Sequence, residues 1–396
     1  MEDREFLTLK EALDIIGGIN VRVVTETIRL EHALNRVLAE PVIADVNMPP
    51  FDKAAMDGYA CRRADLGGNL AVIAEIPAGS TSSFLIGPGQ CARIMTGAIV
   101  PEGADFILMK EFSKSTGPSL IRSIRISENN NICYCGEDVK AGDVVLNPGT
   151  RLLPAHIAML AATGYVSPLV FQLPRMAVLS TGNELVEPAI KPQLGKIRNT
   201  NGMQLSAQAS QFGLTTTYLG IAGDDKQQLF SILANAVQTH ELVVVSGGVS
   251  VGDYDYMPDI ITTLGAELLF HGLKMKPGKH FLLAKKGDHF IAGIPGNPVS
   301  SFVIFEVLVK PLLSKMMGLA DVPAALRLPL ETSWKRKKKD TLFFVPVIIT
   351  GEGTAHPVEY HGSAHLQAYA TARGIMEVPA GVDEIKKGEL VYVRQI

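Results

Sequence analysis

The chain has 396 residues and no long hydrophobic run. No stretch approaches the roughly 18 apolar residues of a membrane-spanning helix, so we predict no membrane segment. The start of the chain, MEDREFLTLKEAL, lacks a basic segment followed by an apolar one, and we therefore expect no signal peptide. Four cysteines are too few for a disulfide framework. These absences predict a cytoplasmic protein with free thiols.

The chain also has no strong net charge of either sign. The formal net charge of −3 gives no overall attraction to nucleic acid or anionic lipid, so an anionic ligand would need a local site. The basic run Lys335–Lys339 has no interleaved aromatic residues, and a solvated face is favoured over a nucleic-acid site. The pair Cys133 and Cys135 lacks a second Cys/His pair at ligand spacing, which favours ordinary thiols over a metal or redox site.

The composition is that of a globular protein, with 47% hydrophobic and 19% charged residues. This length predicts about two to four domains. A capping box at Thr8–Glu11 predicts a helix ending at Gly17-Gly18, and a second amphipathic run covers residues 28–38. From residue 45 to residue 150, short β-rich segments alternate with Gly and Pro, which indicates a mostly antiparallel β domain. Another helix is predicted from Leu153-Pro154 to Gly164.

Strands and helices alternate from Arg175 to about residue 317. This alternation predicts a mostly parallel sheet with helices on both faces. Further strands near the C-terminus predict a small β domain. The strands predicted in these two regions are Met176–Ser180, Thr216–Ala222, Leu242–Ser246, Glu267–Phe270, Phe290–Ile294, Leu326–Glu331, Leu342–Thr350 and Leu390–Arg394.

Polar turns follow three of the predicted parallel strands. In open α/β sheets, ligands bind beyond the carboxyl ends of the strands. Glycines let backbone N–H groups approach a phosphate, and hydroxyls add donors. A single turn of this kind is common without function, but three at one edge favour a ligand site. The turns are Ser180–Leu185, Ser246–Asp255 and Pro295–Ser300.

Two further groups carry charge. The turn Lys276-Pro277-Gly278-Lys279 places two ammonium groups together, which suits an oxyanion site or, equally, a solvated hairpin tip. Carboxylates near a phosphate site make sense if Mg²⁺ bridges them, and otherwise they are caps or surface charge. For the pair Asp224 and Asp225 a helix cap is a serious alternative. The carboxylates at turn positions are Asp57, Asp138, Glu184, Asp224, Asp225 and Asp255.

The sequence contains seven motifs in a characteristic order. They are PPFDKAAMDGYA (49–60), MTGA (95–98), GED (136–138), STGNEL (180–185), SGGVSVGDYD (246–255), KPGK (276–279) and PGNPVS (295–300), followed by GSAHL (362–366). The chain resembles the molybdopterin molybdenumtransferase family, which includes bacterial MoeA and the E domain of gephyrin, over essentially its whole length. It departs from the family pattern at Asn183, which is usually Asp, and at Cys133, which is often Arg. An arginine typical of the family's C-terminal domain has no clear counterpart among residues 335–340.

The resemblance implies a multidomain α/β plus β fold. Its central part would be a mostly parallel α/β molybdopterin-binding domain at 173–320, followed by a small C-terminal β domain at 321–396. An elongated helical domain would be discontinuous, at 1–45 and 140–172, and a β-rich domain would be inserted at 46–139.

The resemblance also implies the site residues. The catalytic residues would be Asp57, Thr96, Asp138, Glu184, Asp224 and Asp255, of which Glu184, Asp224 and Asp255 would hold Mg²⁺. The residues expected to bind the substrates are Thr181, Gly182, Ser246, Gly247, Gly248, Ser250, Lys276, Lys279, Pro295, Asn297, Pro298 and Ser363.

The implied function is insertion of molybdate into adenylylated molybdopterin with release of AMP, by a homodimer whose subunits share the active cleft. The adenylyltransferase of the same pathway and the recipient molybdoenzymes would be further partners, and nucleic acid would not. Two alternatives are a nucleotide pyrophosphatase built on a related α/β domain and a non-catalytic scaffold. The N-terminal AMDGYA segment argues against the first, and the retained carboxylates argue against the second.

Overall fold

The computed structural model describes residues 6–81, 84–249, 256–320, 325–360, 362 and 364–396. The chain forms two compact units. The first unit comprises Met1–Ala39, Pro148–Leu153 and Leu169–Ile396, and the second comprises Glu40–Asn147 and Pro154–Pro168. Among the described residues, no helix combines the length and apolar composition needed to cross a membrane.

The centre of the first unit is a six-stranded sheet. Its strands, in spatial order, are Thr216–Ala222, Met176–Thr181, Leu242–Ser246, His289–Ile294, Leu282–Lys286 and Glu267–His271. The first four pair in parallel, and Leu282–Lys286 runs antiparallel to both of its neighbours. The predicted mostly parallel sheet is therefore confirmed. The antiparallel strand Leu282–Lys286 had not been predicted.

Helices cover both faces of this sheet, as predicted. Alternate residues of one strand point to opposite faces, so Val178 and Val244 pack in one core while Ala177 and Val243 pack in the other. The first core receives the helices Leu9–Gly18, Asn201–Gln211, Pro298–Ile304 and Lys310–Met316, with a π-helical turn at Phe305–Val309. The second core receives the helices Lys226–Thr239 and Met257–Thr263.

A second, antiparallel sheet occupies the C-terminal part of the first unit. Its strands are Leu342–Ile349, Gly374–Val378, Leu390–Gln395 and Leu326–Pro329, with Ala355–Pro357 beside the first of them. The short strand Met275–Lys276 extends this sheet by pairing in parallel with Leu342 and Phe343. The lysine turn at 276–279 lies in the connection between the antiparallel strands Glu267–His271 and Leu282–Lys286, as in a long hairpin. Its first residue also pairs with the C-terminal sheet, so the turn is not a free, fully solvated tip. The remaining elements are the strand pairs Leu185–Val186 with Ile197–Arg198 and Trp334–Lys335 with Glu384–Ile385, and the helix Gln367–Thr371.

The N-terminal region contains less α-helix than the expected elongated helical domain would. The capping box of Thr8 and Glu11 forms as predicted, and the helix runs over Leu9–Gly18. Residues 28–38 form no α-helix, however. They contain a single 3-10 turn, Leu30–His32, and the strand Val37–Leu38. Asn35 has a positive φ of 65°, which an α-helix does not allow. The strand pairs with Leu169–Phe171, so tertiary pairing overrides the amphipathic pattern.

The second unit is rich in β structure, as predicted. Its six-stranded sheet has the order Phe106–Met109, Gly58–Cys61, Gln90–Ile94, Asn69–Ile76, Leu120–Ser123 and Ser113–Gly117. Four of the strand pairs are antiparallel and one is parallel. The strand pairs Lys53–Ala54 with Ile132–Cys133 and Val42–Ile43 with Val144–Leu146, and the helix Pro154–Ala162, complete this unit.

Candidate active site

The three predicted turns meet at the carboxyl edge of the parallel sheet. Ser180 pairs in register with Ser246, and Ser246 with Ile294, so the strands end side by side. The backbone of the second turn comes very close to that of the first. A Cβ atom on Gly247 would lie 2.6 Å from the backbone oxygen of Thr181, and Gly247 has a φ of 100°. Only glycine fits at this position.

A buried asparagine ties two of these turns to the helix that begins beside them. The Nδ2 atom of Asn201 donates to the Ser246 hydroxyl at 2.7 Å and to the Gly296 carbonyl at 2.7 Å. Asn201 is the first residue of the helix Asn201–Gln211 and is 6% exposed. Sequence reasoning missed this residue. The signal available was the polar run Arg198–Gly202, directly before a helix.

A second polar network lies beneath the first turn. The Ser180 hydroxyl donates to Asn199 Oδ1 at 3.0 Å, and Asn199 Nδ2 donates to the Tyr218 hydroxyl at 2.7 Å. The Tyr218 hydroxyl in turn donates to Glu187 at 2.9 Å. Burial and the hydrogen bond to Glu187 raise the pKa of Tyr218 to about 12, so the phenol keeps its proton near neutral pH. The network therefore holds the strand end with the protonated phenol of Tyr218 as the donor to Glu187.

A cavity of about 750 Å³ opens above these turns. A volume of this size suits a cofactor-sized ligand. Most of its polar lining residues are uncharged donors, and Glu184, Lys196 and Arg198 contribute charge at its wall. We call it the turn cavity. Its lining includes the predicted residues Thr181, Glu184, Ser246, Gly248, Pro295, Asn297 and Pro298.

A second cavity, of about 910 Å³, adjoins the first. The two share three lining residues, His280, Pro295 and Asn297. Its cationic lining residues come from two segments that are distant in sequence, and the lining also contains the acidic residue Asp340. We call it the basic cavity. The cationic residues are Lys274, Lys276, Lys279, Arg336, Lys337 and Lys338.

The residues of the basic run Lys335–Lys339 have two different roles. Lys335 and Lys339 form ion pairs with Glu384 at 3.2 Å and Asp383 at 3.6 Å. The middle of the run instead lines the basic cavity. The expectation of a solvated face holds for Lys337 and Lys338, which are exposed and also border the basic cavity, whereas Arg336 is half-buried. The pairing of Met275–Lys276 with Leu342–Ile349 brings this run and the lysine turn together.

The guanidinium of Arg336 is already engaged within the fold. It donates to the backbone oxygens of Val382, Thr341 and Pro379 at 2.6–2.8 Å. Burial lowers the pKa of Arg336. Its hydrogen bonds fix the loop that carries Lys337 and Lys338, which leaves those two lysines as the cations that the run presents to the cavity.

The carboxylates of the first unit separate into different environments. Asp224 accepts a hydrogen bond from the Asn183 backbone at 3.1 Å, and Asn183 Oδ1 accepts one from the Asp224 backbone at 3.2 Å. Asp225 instead caps the helix Lys226–Thr239 by accepting from Gln228 at 2.7 Å. The cap in this pair is therefore Asp225. Glu184 follows Asn183 directly and lines the turn cavity.

The structure describes only some of the residues predicted to form the magnesium site. Asp255 lies outside the described residues, as do Ser250 and Ser363. Within the part of the chain that the structure describes, no group of three or more His, Cys, Asp or Glu side chains is placed to hold a metal ion. The reciprocal hydrogen bonds of Asn183 and Asp224 bring Asp224 to the turn that carries Glu184. The site of three carboxylates thus stays a prediction.

In the second unit, two of the predicted residues are in direct contact. Asp57 Oδ1 accepts hydrogen bonds from the Thr96 backbone and from the Thr96 hydroxyl, both at 2.7 Å. These two bonds lower the pKa of Asp57, so its carboxylate stays ionised. Asp138 is exposed in a turn, where its backbone donates to the Met48 oxygen at 3.1 Å. Among the described contacts, no hydrogen bond joins Asp138 to Asp57 or Thr96.

Known families and proteins match the whole of this arrangement. Residues 7–164 match the MoeA N-terminal region (domain I and II), residues 177–315 match a probable molybdopterin binding domain, and residues 327–396 match the MoeA C-terminal region (domain IV). The molybdopterin molybdenumtransferase of Staphylococcus aureus strain N315 is 35% identical over 403 residues, covering 99% of this chain and 96% of that protein. The enzyme of the same name from Staphylococcus epidermidis strain ATCC 12228 is 34% identical with the same coverage.

A solved structure agrees with these matches. The molybdopterin biosynthesis moeA protein from Pyrococcus horikoshii OT3 has a TM-score of 0.83 and 30% identity, covering 99% of this chain and 100% of that chain. The three regions and the fold thus define a multidomain MoeA-like architecture with mixed sheets. The chain belongs to the molybdopterin molybdenumtransferase family, the transferases that insert molybdenum in molybdenum cofactor biosynthesis. The predicted family is confirmed.

Proposed function

We propose that this protein inserts molybdate into adenylylated molybdopterin and releases AMP. The observation that carries the proposal is the pair of adjoining cavities, which differ in charge and share His280, Pro295 and Asn297. A substrate with a nucleotide at one end and a metal-accepting dithiolene at the other needs two neighbouring sites of different chemistry. One site must recognise neutral groups and phosphate, and the other must attract an oxyanion.

The turn cavity is the proposed site of the adenylylated pterin. Gly248 lines this cavity, and its backbone can approach a phosphate or a flat ring because the residue has no Cβ. The Gly247 N–H instead donates to the Ile294 backbone oxygen at 2.9 Å, and this glycine shapes the turn. Hydroxyls of Thr181 and Ser246 lie on the same wall. Of the other residues that we assign to this site, Pro295, Asn297 and Pro298 line the cavity. Gly182 belongs to the first turn but does not line the cavity, and Ser250 lies outside the described residues.

The basic cavity is the proposed molybdate site. Lys276 and Lys279 line it, and an ammonium group suits an oxyanion as a compact charge. The Lys279 ammonium lies 4.6 Å from the centroid of the Phe6 ring, which fixes its position by a cation–π contact. Lys337 and Lys338, from a distant segment of the chain, also line the cavity and add charge. We assign Ser363 to the same site, although it lies outside the described residues.

Glu184 and Asp224, with Asp255, are the residues that we propose to hold Mg²⁺. When bound there, the ion would neutralise charge on the phosphoanhydride while water or an oxygen of molybdate attacks phosphorus, so that the P–O bond to AMP breaks and AMP leaves. Asn183 holds Asp224 through the reciprocal hydrogen bonds described above, so the carboxylate keeps one orientation at the turn. Carboxylates gathered beside a phosphate would otherwise repel it, and this supports the assignment of a cation.

We further propose a homodimer in which Asp57, Thr96 and Asp138 of one subunit complete the cleft of the other. The Asp57–Thr96 contact supports this, because it builds an ionised, oriented carboxylate on a loop where little core packing needs it. The domain boundaries proposed above, at 1–45 with 140–172, 46–139, 173–320 and 321–396, belong to the same arrangement. The preceding adenylyltransferase and the recipient molybdoenzymes are its proposed partners.

The test is co-incubation of the protein with adenylylated molybdopterin, Mg²⁺ and molybdate. We expect AMP release, and the product should reconstitute an apo-molybdoenzyme. Excess EDTA should stop AMP release while the far-ultraviolet circular dichroism stays unchanged. AMP release without reconstituting activity, accompanied by hydrolysis of ADP-ribose, would instead support a nucleotide pyrophosphatase.

A further inference from the structure

His280 lies where the two cavities meet. It follows the lysine turn and precedes the strand Leu282–Lys286, and it lines both cavities. The ring packs edge-on against Phe6, with centroids 6.4 Å apart and planes at 82°. This contact fixes the ring plane. A histidine at the junction can therefore touch any ligand that extends from one cavity into the other.

The two ring nitrogens of His280 are in different environments. Nδ1 is buried and has no hydrogen-bond partner among the described residues. The nitrogen that remains to face the cavities is therefore Nε2. Burial, with a smaller contribution from Lys279, lowers the pKa of His280, so the ring is neutral near pH 7 and carries one proton. A buried N–H without an acceptor is costly, which favours the tautomer with that proton on Nε2.

We propose that the Nε2–H group of His280 donates a hydrogen bond to an anionic oxygen of the ligand at the junction of the two cavities. This inference rests on the proposed function and adds to it a direct substrate contact. The oxygen belongs either to the phosphate of the nucleotide or to the oxyanion. A neutral imidazole gives this oxygen a directional donor without another positive charge beside Lys276 and Lys279.

The experiment compares two amides that mimic different ring nitrogens. The glutamine amide of His280→Gln reaches the position of Nε2, whereas the asparagine amide of His280→Asn reaches only that of Nδ1. Calorimetric titrations with molybdate and with AMP, done separately on the full chain, measure the affinity of each variant. We expect His280→Gln to bind within about threefold of the wild type. His280→Asn should weaken one of the two ligands about ten- to a hundredfold, the usual cost of a lost hydrogen bond to a charged group.

The ligand that responds identifies the source of the oxygen. His32→Gln, at an exposed histidine of the 3-10 turn Leu30–His32, is the matched control and should leave both affinities unchanged. Thermal unfolding checks each variant. If His280→Asn does not fold, His280→Phe replaces it, because phenylalanine fills the ring volume without a donor.

Three outcomes would overturn the proposal. These are unchanged affinities in His280→Asn, equal losses in the glutamine and asparagine variants, or wild-type protein that binds neither ligand. The proposed function fails separately, if the wild type binds molybdate and AMP as described but releases no AMP from the adenylylated pterin.

Discussion

The turn cavity and the basic cavity adjoin each other, yet they are built in different ways. The turn cavity forms from turns that follow three adjacent parallel strands of one sheet, and buried amides such as Asn201 hold it together. The basic cavity forms between two sheets and depends on charge from segments about 60 residues apart in sequence. The difference teaches that most of the first cavity is built by one sheet and its turns, with Ala364 and Leu366 added from the C-terminal segment, whereas the second depends on the C-terminal sheet for half of its charge.

The largest expected effect tests whether the two cavities are sufficient. Asp57 lies in the other compact unit, and Asp57→Ala should reduce AMP release about a hundredfold or more if that carboxylate is needed for chemistry. Thermal unfolding should change little, because Asp57 is an exposed loop residue. Asp143→Ala is the matched control, since Asp143 is also an exposed loop carboxylate that accepts a backbone N–H, from Lys140 at 2.9 Å. Full activity of Asp57→Ala would remove it from the catalytic set.

The next effect tests the basic cavity alone. Lys276→Ala and Lys279→Ala should each raise the molybdate concentration for half-maximal AMP release by roughly ten- to a hundredfold, as expected for one lost charge-assisted contact. The affinity for AMP should change much less. Lys286→Ala removes an exposed lysine at the end of the strand Leu282–Lys286 and controls for net charge. An unchanged molybdate dependence in both variants would place the oxyanion elsewhere.

A smaller effect is expected in the turn cavity, where the affinity for AMP should fall instead of the affinity for molybdate. Asn201→Ala leaves the Ser246 hydroxyl and the Gly296 carbonyl without their buried donor, so the free energy of unfolding in urea should fall by about 1–3 kcal/mol. AMP should bind more weakly, and the molybdate affinity should be kept. Asn235→Ala, at an exposed position of the helix Lys226–Thr239, should change neither. Equal losses for both ligands would break the distinction between the cavities.

The smallest effect distinguishes the two neighbouring aspartates Asp224 and Asp225. Asp225→Ala removes a helix cap and should cost about 1 kcal/mol of unfolding free energy, with turnover nearly unchanged. Asp224→Ala should lower turnover and leave the free energy of unfolding nearly unchanged, because its carboxylate is held by Asn183 at the turn and caps no helix. Urea unfolding and initial rates of AMP release on the same preparations make the comparison. A turnover defect in Asp225→Ala would exchange the two assignments.

Much of the sheet was predictable because its signal is local. Thr216–Ala222 and Leu242–Ser246 have the predicted bounds, because each is a short run rich in β-branched and apolar residues between polar turns. Leu242–Ser246 is buried throughout, whereas Thr216–Ala222 at the edge of the sheet is mostly half-buried. The convergence of the three turns followed from the geometry of parallel strands. Pairing that depends on distant segments was not predictable. The strand Val37–Leu38 was taken for part of a helix because the partner that buries it, Leu169–Phe171, is remote in sequence.

The candidate site shows the same limit. The Gly247–Gly248 turn and the lysines at 276 and 279 were identified from residue type and spacing. Lys337 and Lys338 were assigned to a solvated face, because their position beside Lys276 depends on the pairing of Lys276 with Phe343. Asn201 was missed because an asparagine at the start of a helix is usually a local cap, whereas here its side chain bonds to two other turns.

The central claim is that nucleotide and oxyanion occupy the two cavities side by side. Tungstate is nearly isosteric with molybdate and scatters X-rays anomalously, so crystals soaked with tungstate and AMP locate both ligands in one experiment. We expect the tungsten peak in the basic cavity within contact of Lys276 and Lys279, and the AMP phosphate at the Gly247–Gly248 turn. A tungsten peak at the turn, or an AMP phosphate among the lysines, would contradict this account.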